Sequence, residues 1–304
     1  MALVGKAVRS RSPRALTLVE LLIALFVLVL ILIVLLPSIG RTGHGGSRQV
    51  KCATQVRNVI QAMTIFAQSN RDRYPLPSML DVNNQTVFAE NQRDKDTSNH
   101  ILSVLVFDSS ISPEIIVSPS ESNGNIKVFS DYQNNNPKAA VNPANAVWDP
   151  ALRCDFTTGE GHASYAMLMP NGDTAAPVTD SQARARLKTW SNTFNALEAV
   201  VGNRGPRVTG RDKNGDPIYG TKSNTMLIHG GRTTWEGNVG YNDNHVNFET
   251  RMNPSEITYR SADGKKKADI FYFDEPDDAD GLNAYLGVWV KAGTLPSEFK
   301  GVHD

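Results

Sequence analysis

The 304-residue sequence has only two cysteines, Cys52 and Cys154, and its 31 Lys+Arg are balanced by 31 Asp+Glu. Two cysteines exclude a disulfide-dense scaffold and any zinc or iron–sulfur site built from four thiolates. Zero net charge without a basic block argues against a nucleic-acid partner, because such binding depends on clustered Lys and Arg that neutralise phosphates. Since 40% of the residues are hydrophobic, we expect one or two domains that fold around their own core.

The sequence also lacks the familiar catalytic motifs. It contains neither H-E-x-x-H nor G-x-S-x-G, the patterns of a metalloprotease and a serine hydrolase. The segment from Gly215 to Ser223 misses a phosphate loop because its Lys does not directly follow the second Gly. A β-hairpin with its turn at Asn214 and Gly215 explains this segment better. We therefore expect that the protein is not an enzyme.

One long apolar run lies near the N-terminus, where every residue from Leu21 to Leu36 is apolar. A helix over residues 16–36 would be roughly 30 Å long, which matches the hydrocarbon core of a bilayer. The fifteen residues before it carry four basic side chains and no acid, as is typical of a cytoplasmic flank. A signal peptide has a shorter apolar region and a small-x-small cleavage site. The sequence thus predicts a single transmembrane helix over residues 16–36.

Glu20 is an acid placed just inside this apolar segment. A carboxylate at the centre of a lipid-embedded helix costs about 2.5–3.5 kcal/mol, so it normally marks function and needs a partner. A second interpretation is purely local: an acid near a helix N-terminus is favoured by the helix dipole and can be hydrated among the headgroups. The residue types alone leave both interpretations open.

The string Arg14-Ala15-Leu16-Thr17-Leu18-Val19-Glu20 resembles the cleavage and methylation motif of type IV prepilins. In that family a basic leader ends in a small residue, followed by an apolar residue, Thr, Leu, an apolar residue and Glu. Here Ala15 replaces the usual Gly and Leu16 the usual Phe. The resemblance implies that prepilin peptidase cuts between Ala15 and Leu16 and methylates the new amino group of Leu16. It also implies that Glu20 pairs with the free amine of a neighbouring subunit in a filament, which would supply the partner that a buried charge needs.

An amphipathic helix is predicted after the apolar run, from Lys51 to about Tyr74. Its apolar residues recur with the spacing of one helical face: Cys52, Val56, Val59, Ile60, Met63, Phe66 and Ala67. We expect that face to pack on a sheet. With its early cysteine and its Asn-Arg-Asp-Arg-Tyr-Pro end, the segment resembles the helical stem of large pilin-like proteins.

Short strands and loops are predicted for most of the remaining chain. Residues 76–180, rich in Asn, Ser, Asp and Pro, include apolar runs at 101–107 and 111–117 and two expected short strands at 152–155 and 163–167. Apolar residues at steps of four and three predict an inserted helix near 181–201, covering the sheet: Ala183, Leu187, Trp190, Phe194, Leu197 and Val201.

From Asn224 onward the patterns are those of strands, with apolar runs at 225–228, 238–241, 246–248, 257–260, 270–273 and 285–290. A tight turn over Asn242 to His245 is expected to join two of them as a hairpin. His229, followed by the Asp243-Asn244-His245-Val246 segment, resembles the His…Asp-Gly-His-Val signature of large-headed pilin-like proteins. The predicted fold class is therefore α+β and pilin-like, with a long N-terminal helix, transmembrane and then amphipathic, packed on an antiparallel β-sheet head.

A cation site and a disulfide are further candidates. Acidic residues at Asp274, Asp277, Asp278 and Asp280 supply the hard oxygen ligands that calcium prefers; a solvated acidic loop is the alternative. Calcium is the only cofactor that the sequence suggests. Cys52 and Cys154 are expected outside the cytoplasm, where a disulfide is permitted. Alternatively, Cys52 is a small buried residue of the amphipathic face.

Together these observations favour a prepilin-like structural subunit of a type IV pilus-like or type II secretion pseudopilus filament. Its expected parts are a cytoplasmic leader (1–15), a transmembrane helix (16–36), a linker with the amphipathic stem helix (37–75) and a periplasmic head (76–304). Its expected partners are prepilin peptidase, other pilin-like subunits and platform proteins at the bacterial inner membrane. The rival hypothesis is a single-pass anchored periplasmic protein whose head binds a carbohydrate or a protein.

We expect the protein from its native membrane fraction to begin at Leu16 and to carry one additional methyl group. N-terminal sequencing and an intact mass measure both features. A chain that begins at Met1 would contradict the prepilin interpretation and favour the anchored binding protein. A chain that begins beyond Gly40 would show that the apolar segment is an export signal.

Overall fold

The computed structural model describes residues 17–40, 44–170, 190–220, 222–254, 257, 269–271, 286–295 and 298–304. The chain divides into two compact units, residues 1–47 and 48–304. The helices are α1 (Leu18–Gly40), α2 (His44–Gln68), α3 (Pro77–Leu80) and α4 (Ser98–Phe107), and short 3-10 turns lie at Gln92–Lys95, Pro113–Ile116, Pro143–Asn145 and Asn224–Leu227. Within the part of the chain that the structure describes, no helix combines the length and the hydropathy that crossing a membrane requires.

The second unit is built on an antiparallel sheet whose described strands run in the order β6-β5-β2-β1-β7. Two separate pairs, β3-β4 and β8-β9, lie outside it. The strands are β1 (Tyr165–Leu168), β2 (Ala199–Asn203), β3 (Val208–Arg211), β4 (Pro217–Tyr219), β5 (Gly237–Tyr241), β6 (Val246–Glu249), β7 (Leu286–Gly287), β8 (Trp289–Lys291) and β9 (Lys300–Gly301). Helices and an antiparallel sheet in one unit confirm the α+β class.

The amphipathic face of α2 packs on this sheet, as its periodicity predicts. Its six fully buried apolar residues are Cys52, Val56, Val59, Ile60, Met63 and Ala67, and Phe66 is partly buried against them. The closest approach is at Gly240 of β5. A β-carbon built there would lie 2.1 Å from Cδ1 of Ile60 and 2.9 Å from Cγ1 of Val56. Only glycine therefore lets this strand come so near to the helix.

Both predicted hairpins are confirmed. β5 and β6 pair directly, and the turn between them places Asn244 at φ 71°, a left-handed conformation that Asn tolerates better than most residues. β3 and β4 also pair, with Gly215 at φ 80° in their turn. Local turn chemistry is sufficient to specify such hairpins.

The predicted helix near 181–201 is wrong where the structure describes it, and Ala183 and Leu187 lie outside the described residues. Its last residues form β2, a central strand buried at all five positions. Phe194 is 70% exposed and has φ 56°, which a right-handed helix does not allow. Trp190, in contrast, is buried and donates its Nε1 hydrogen to the carbonyl of Pro75 at 3.1 Å. These apolar residues share no common face, so their helical spacing is misleading.

Three shorter predictions also fail. Residues 101–107 belong to α4 rather than to a loop or strand, residues 225–228 lie largely in a 3-10 turn, and residues 152–155 form no strand. The apolar runs 101–107 and 225–228 are too short for periodicity to separate a buried helix from a strand. The expected strand at 163–167 is confirmed in part, as β1 begins at Tyr165. Of the runs at 257–260 and 270–273, only Ile257, Ile270 and Phe271 lie within the described residues.

We expect Gly240→Ala to lower the free energy of unfolding by about 1–3 kcal/mol, because the added methyl group overlaps Ile60 and overpacks the interface. Urea unfolding of the full chain in detergent, followed by tryptophan fluorescence, measures the change. Ile60→Val removes the nearest methyl group, so the double variant should recover part of the loss. Gly210→Ala is the matched control, since its β-carbon would meet no atom within 4 Å. Equal losses in Gly240→Ala and Gly210→Ala would contradict the close helix–sheet contact.

Candidate functional site

The described residues of the prepilin-like motif are Thr17 to Glu20, at the start of α1. Glu20 Oε2 accepts hydrogen bonds from the backbone N of Thr17 at 2.8 Å and from its Oγ1 at 2.9 Å. In return, Thr17 Oγ1 accepts from the backbone N of Glu20 at 3.3 Å. This reciprocal pattern is a capping box, which satisfies backbone donors at a helix N-terminus. The local interpretation of Glu20 is thus realised in the geometry, and its pairing with a neighbouring subunit stays a prediction.

From Leu18 to Ile31, the part of α1 whose side chains the structure describes, the helix presents apolar side chains on all sides apart from Glu20. Every large apolar side chain from Leu18 to Ile31 is between 44% and 78% exposed. A helix that is apolar on all sides is ordinarily buried in a large core or in lipid, and exposed apolar patches of this extent mark interaction surfaces. An acid at one end of such a surface can define the register in which two copies pack. Ala15 and Leu16, the proposed cleavage and methylation positions, lie outside the described residues.

The calcium site expected in the head stays a prediction. Asp274, Asp277, Asp278 and Asp280, the candidate calcium ligands, all lie outside the described residues. Among the residues that are described, no group of three His, Cys, Asp or Glu side chains could hold a metal ion. His229 contacts Asn238 and the ring of Phe248, whereas His245 stacks on Tyr241.

Cys52 and Cys154 do not form a disulfide with each other: both are free and buried. Cys52 lies where α2 meets the sheet, with its sulfur 3.3 Å from Nδ2 of Asn203 and 3.6 Å from Oη of Tyr165. The structure therefore supports the alternative, Cys52 as a small buried residue of the amphipathic face. Burial raises the pKa of the Cys154 thiol well above its usual range, so this thiol stays protonated and unreactive.

Several buried polar groups join α2 to the sheet and were not anticipated from the sequence. Tyr165 Oη donates to Oε1 of Gln55 at 3.0 Å, and Nε2 of Gln55 donates to the carbonyl of Glu114 at 2.8 Å. Burial raises the pKa of Tyr165 well above its usual range, so the phenol keeps its proton for this bond. Each group is satisfied by a partner from another element, as buried polar groups require. Their arrangement holds the helix in place and offers no nucleophile to solvent.

A second buried polar cluster lies in the chain between α3 and α4. Lys95 Nζ is 3.1 Å from Oδ2 of Asp81, and both side chains are almost fully buried. Asp96 accepts from the backbone N of Ser78 at 2.8 Å, and burial raises its pKa to about 6. Burial also lowers the pKa of nearby His100 to about 4. These groups are enclosed by their own loops, so the cluster is a structural one.

Comparison with known proteins adds no family assignment: no protein-family model, curated protein or solved structure matches this chain. The functional interpretation therefore rests on the residues and their geometry. Its strongest element is the juxtaposition of Thr17, Glu20 and the exposed apolar helix. The prepilin-like motif could be found in the sequence, but its capping geometry could not.

We expect two alkylated cysteines per chain when the unreduced protein is unfolded in urea with iodoacetamide. In the native protein, neither thiol should react appreciably, because the exposed fraction is 0% for Cys52 and 1% for Cys154. Intact mass counts the added groups, and a sample reduced before unfolding is the control. Two groups in the reduced sample but none in the unreduced one would show a disulfide and contradict the structure.

Proposed function

We propose that the chain is a prepilin-like structural subunit that assembles into a type IV pilus-like or type II secretion pseudopilus filament. Prepilin peptidase cuts it between Ala15 and Leu16 and methylates Leu16. The observation that carries the proposal is the placement of Glu20, which becomes the fifth residue of the processed chain and directly precedes the uninterrupted apolar run from Leu21 to Leu36. The work of such a subunit is structural, and it needs no cofactor.

The membrane part of the proposal rests on the apolar sequence from Leu16 to Leu36. This segment anchors the chain in the bacterial inner membrane by a single pass, with the basic leader in the cytoplasm and the head in the periplasm. Platform proteins of the assembly machine and other pilin-like subunits are the partners that such a helix meets. An α+β head in which an amphipathic helix packs on an antiparallel sheet supports the pilin-like fold.

The physical role of Glu20 differs between the separate subunit and the filament. In the separate subunit, Thr17 supplies two hydrogen bonds to the carboxylate, which lower the cost of placing it near lipid. In a bundle of apolar helices, the same carboxylate requires an opposite charge. The amino group released at Leu16 of a neighbouring subunit supplies that charge. Only one axial register of the packed helices brings this amino group and the Glu20 carboxylate together.

An anchored binding protein is the second candidate function. A cleft of about 300 Å³ on the head, at the β3–β4 hairpin, favours it, since clefts of this kind hold small ligands. In this alternative the helix is only a tether. Loss of the Glu20 charge would then have no consequence.

Three variants separate the charge of Glu20 from its capping role. Glu20→Gln keeps an acceptor for the capping box but removes the charge, Glu20→Ala removes both, and Thr17→Ala removes the cap but keeps the charge. If charge pairing drives assembly, we expect both Glu20 variants to reduce the chain in the sheared filament fraction by tenfold or more. Thr17→Ala should reduce it by less than about threefold, because losing a cap costs only ~1 kcal/mol.

Each variant is compared at equal abundance in the membrane fraction, so that failed insertion is not mistaken for failed assembly. Normal assembly of Glu20→Gln together with a defect shared by Glu20→Ala and Thr17→Ala would show that capping is the only role of Glu20. Normal assembly of all three variants, or no filament fraction at all from the wild-type protein, would favour the tethered binding protein.

A further inference from the structure

The cleft beside the β3–β4 hairpin is lined by side chains from three separate segments of the chain. It has a volume of about 300 Å³, and its polar lining comes from Asp216, Tyr219, Thr234, Thr250, Arg251 and Asn253. Trp235 and Met252 also line it and are buried. This volume is at the lower end of the range for small-molecule sites, and a few convergent polar groups around an apolar base are typical of them.

The carboxylate of this cleft is held in place before any ligand arrives. The backbone N of Asp216 donates to Oδ1 of Asp212 at 2.9 Å, and Oδ1 of Asp216 accepts from Nδ2 of Asn253 at 3.1 Å. Behind the turn, Arg211 donates to the carbonyl of Gly215 at 3.0 Å and pairs with the buried Asp269. A prearranged polar group binds more tightly because less conformational entropy is lost on binding.

The charges around the cleft favour a neutral ligand. Asp216 and the exposed Arg251 have opposite formal charges, so the lining has no net charge that would attract an anion or a cation. The remaining groups are one amide, one phenol and two hydroxyls, which both donate and accept hydrogen bonds. A ligand with several neutral hydroxyl groups can satisfy all of them at once. Adjacent hydroxyls fit the forked geometry of a carboxylate and a guanidinium in particular.

Aromatic residues provide the apolar part of the cleft. Tyr219 lies on β4 and is half-buried, with its Oη donating to the carbonyl of Thr233 at 3.4 Å. Trp235 forms a rigid base, because its Nε1 donates to the carbonyl of Arg204 at 3.0 Å and its ring packs edge-on against Phe271. Amphipathic rings suit a ligand that has one apolar face and many polar edges, and a sugar ring has this form.

We propose that this cleft binds a neutral saccharide of one or two rings. Tyr219 lies under the apolar face of the sugar, and Asp216, Arg251 and Asn253 bind its hydroxyl groups. The inference goes beyond filament assembly and does not depend on it, since the cleft lies wholly in the second unit of the chain. A subunit that carries such a cleft would expose many sugar sites along one filament, where weak single contacts add up to strong attachment.

The first test applies the full-length protein in detergent to a microarray of neutral and anionic oligosaccharides. We expect binding to neutral glycans. Isothermal titration with the best free oligosaccharide then compares the wild-type protein with Tyr219→Ala and Arg251→Ala, each expected to bind at least tenfold more weakly. Arg57→Ala, which removes an exposed arginine of α2, is the matched control and should bind as the wild type does. Circular dichroism verifies the fold of each variant.

Three outcomes would overturn the proposal. The first is the absence of a neutral-glycan signal above the detergent background. The second is binding restricted to anionic glycans, and the third is glycan binding that Arg251→Ala leaves unchanged. A peptide array is probed in parallel to test the other ligand class. A peptide that binds the wild-type protein but not Arg251→Ala would show that the cleft binds peptides rather than saccharides. Arg251 is exposed, so its variant remains informative even if Tyr219→Ala fails to fold. Normal filament assembly by both cleft variants would confirm that the two functions are separate.

Discussion

The described head depends on the close packing of α2 against the central strands of the sheet. This contact is close because Gly240 presents no side chain to Ile60 and Val56, so apolar atoms of the helix lie directly on the backbone of β5. Burial of the apolar face of α2 stabilises this interface. The polar groups at the same interface, among them Gln55 and Tyr165, are paired across it, which makes the position of the helix specific as well as stable.

Buried polar side chains organise the long segments outside the sheet. Asn242 accepts from Tyr74 at 3.0 Å and from the backbone N of Thr193 at 2.8 Å, and it donates to the carbonyl of Ser191. One amide thus ties the end of the α2 segment to the hairpin turn and to the chain before β2. Arg204 pairs with Glu121 at 2.6 Å and with Asp304 at 2.9 Å in the same way. Such groups are costly to bury singly, but when they are paired across segments they order parts of the chain that lack regular secondary structure.

Under the proposed function, Glu20 has a role in two states of the protein. Its hydrogen bonds with Thr17 complete the N-terminus of α1 in the single chain, and the apolar surface around it is exposed. A carboxylate at the edge of such a surface is tolerable while water or headgroups reach it. Once helices pack and exclude water, the charge must be paired. In the proposed filament, this requirement converts non-directional apolar packing into packing of defined register.

The sequence by itself determined the features that depend on neighbouring residues. These are the periodic face of α2, the hairpin turns at Gly215 and Asn244, and the resemblance of residues 14–20 to a prepilin motif. A helix face and a tight turn are encoded over a few adjacent positions, so the local pattern is sufficient. The largely apolar run 101–107 could not be assigned in this way, because a buried helix and a buried strand look alike over seven residues.

Only the tertiary structure decided the features that depend on distant residues. It placed residues 199–203 in the centre of the sheet, where cross-strand burial outweighs the helical spacing that predicted a helix near 181–201. It kept Cys52 and Cys154 as separate buried thiols, since a disulfide requires a proximity that no spacing in the chain reveals. It also brought Asp216, Trp235 and Arg251 to one cleft. Such convergence arises from strand pairing and core packing, which are properties of the whole chain rather than of any segment.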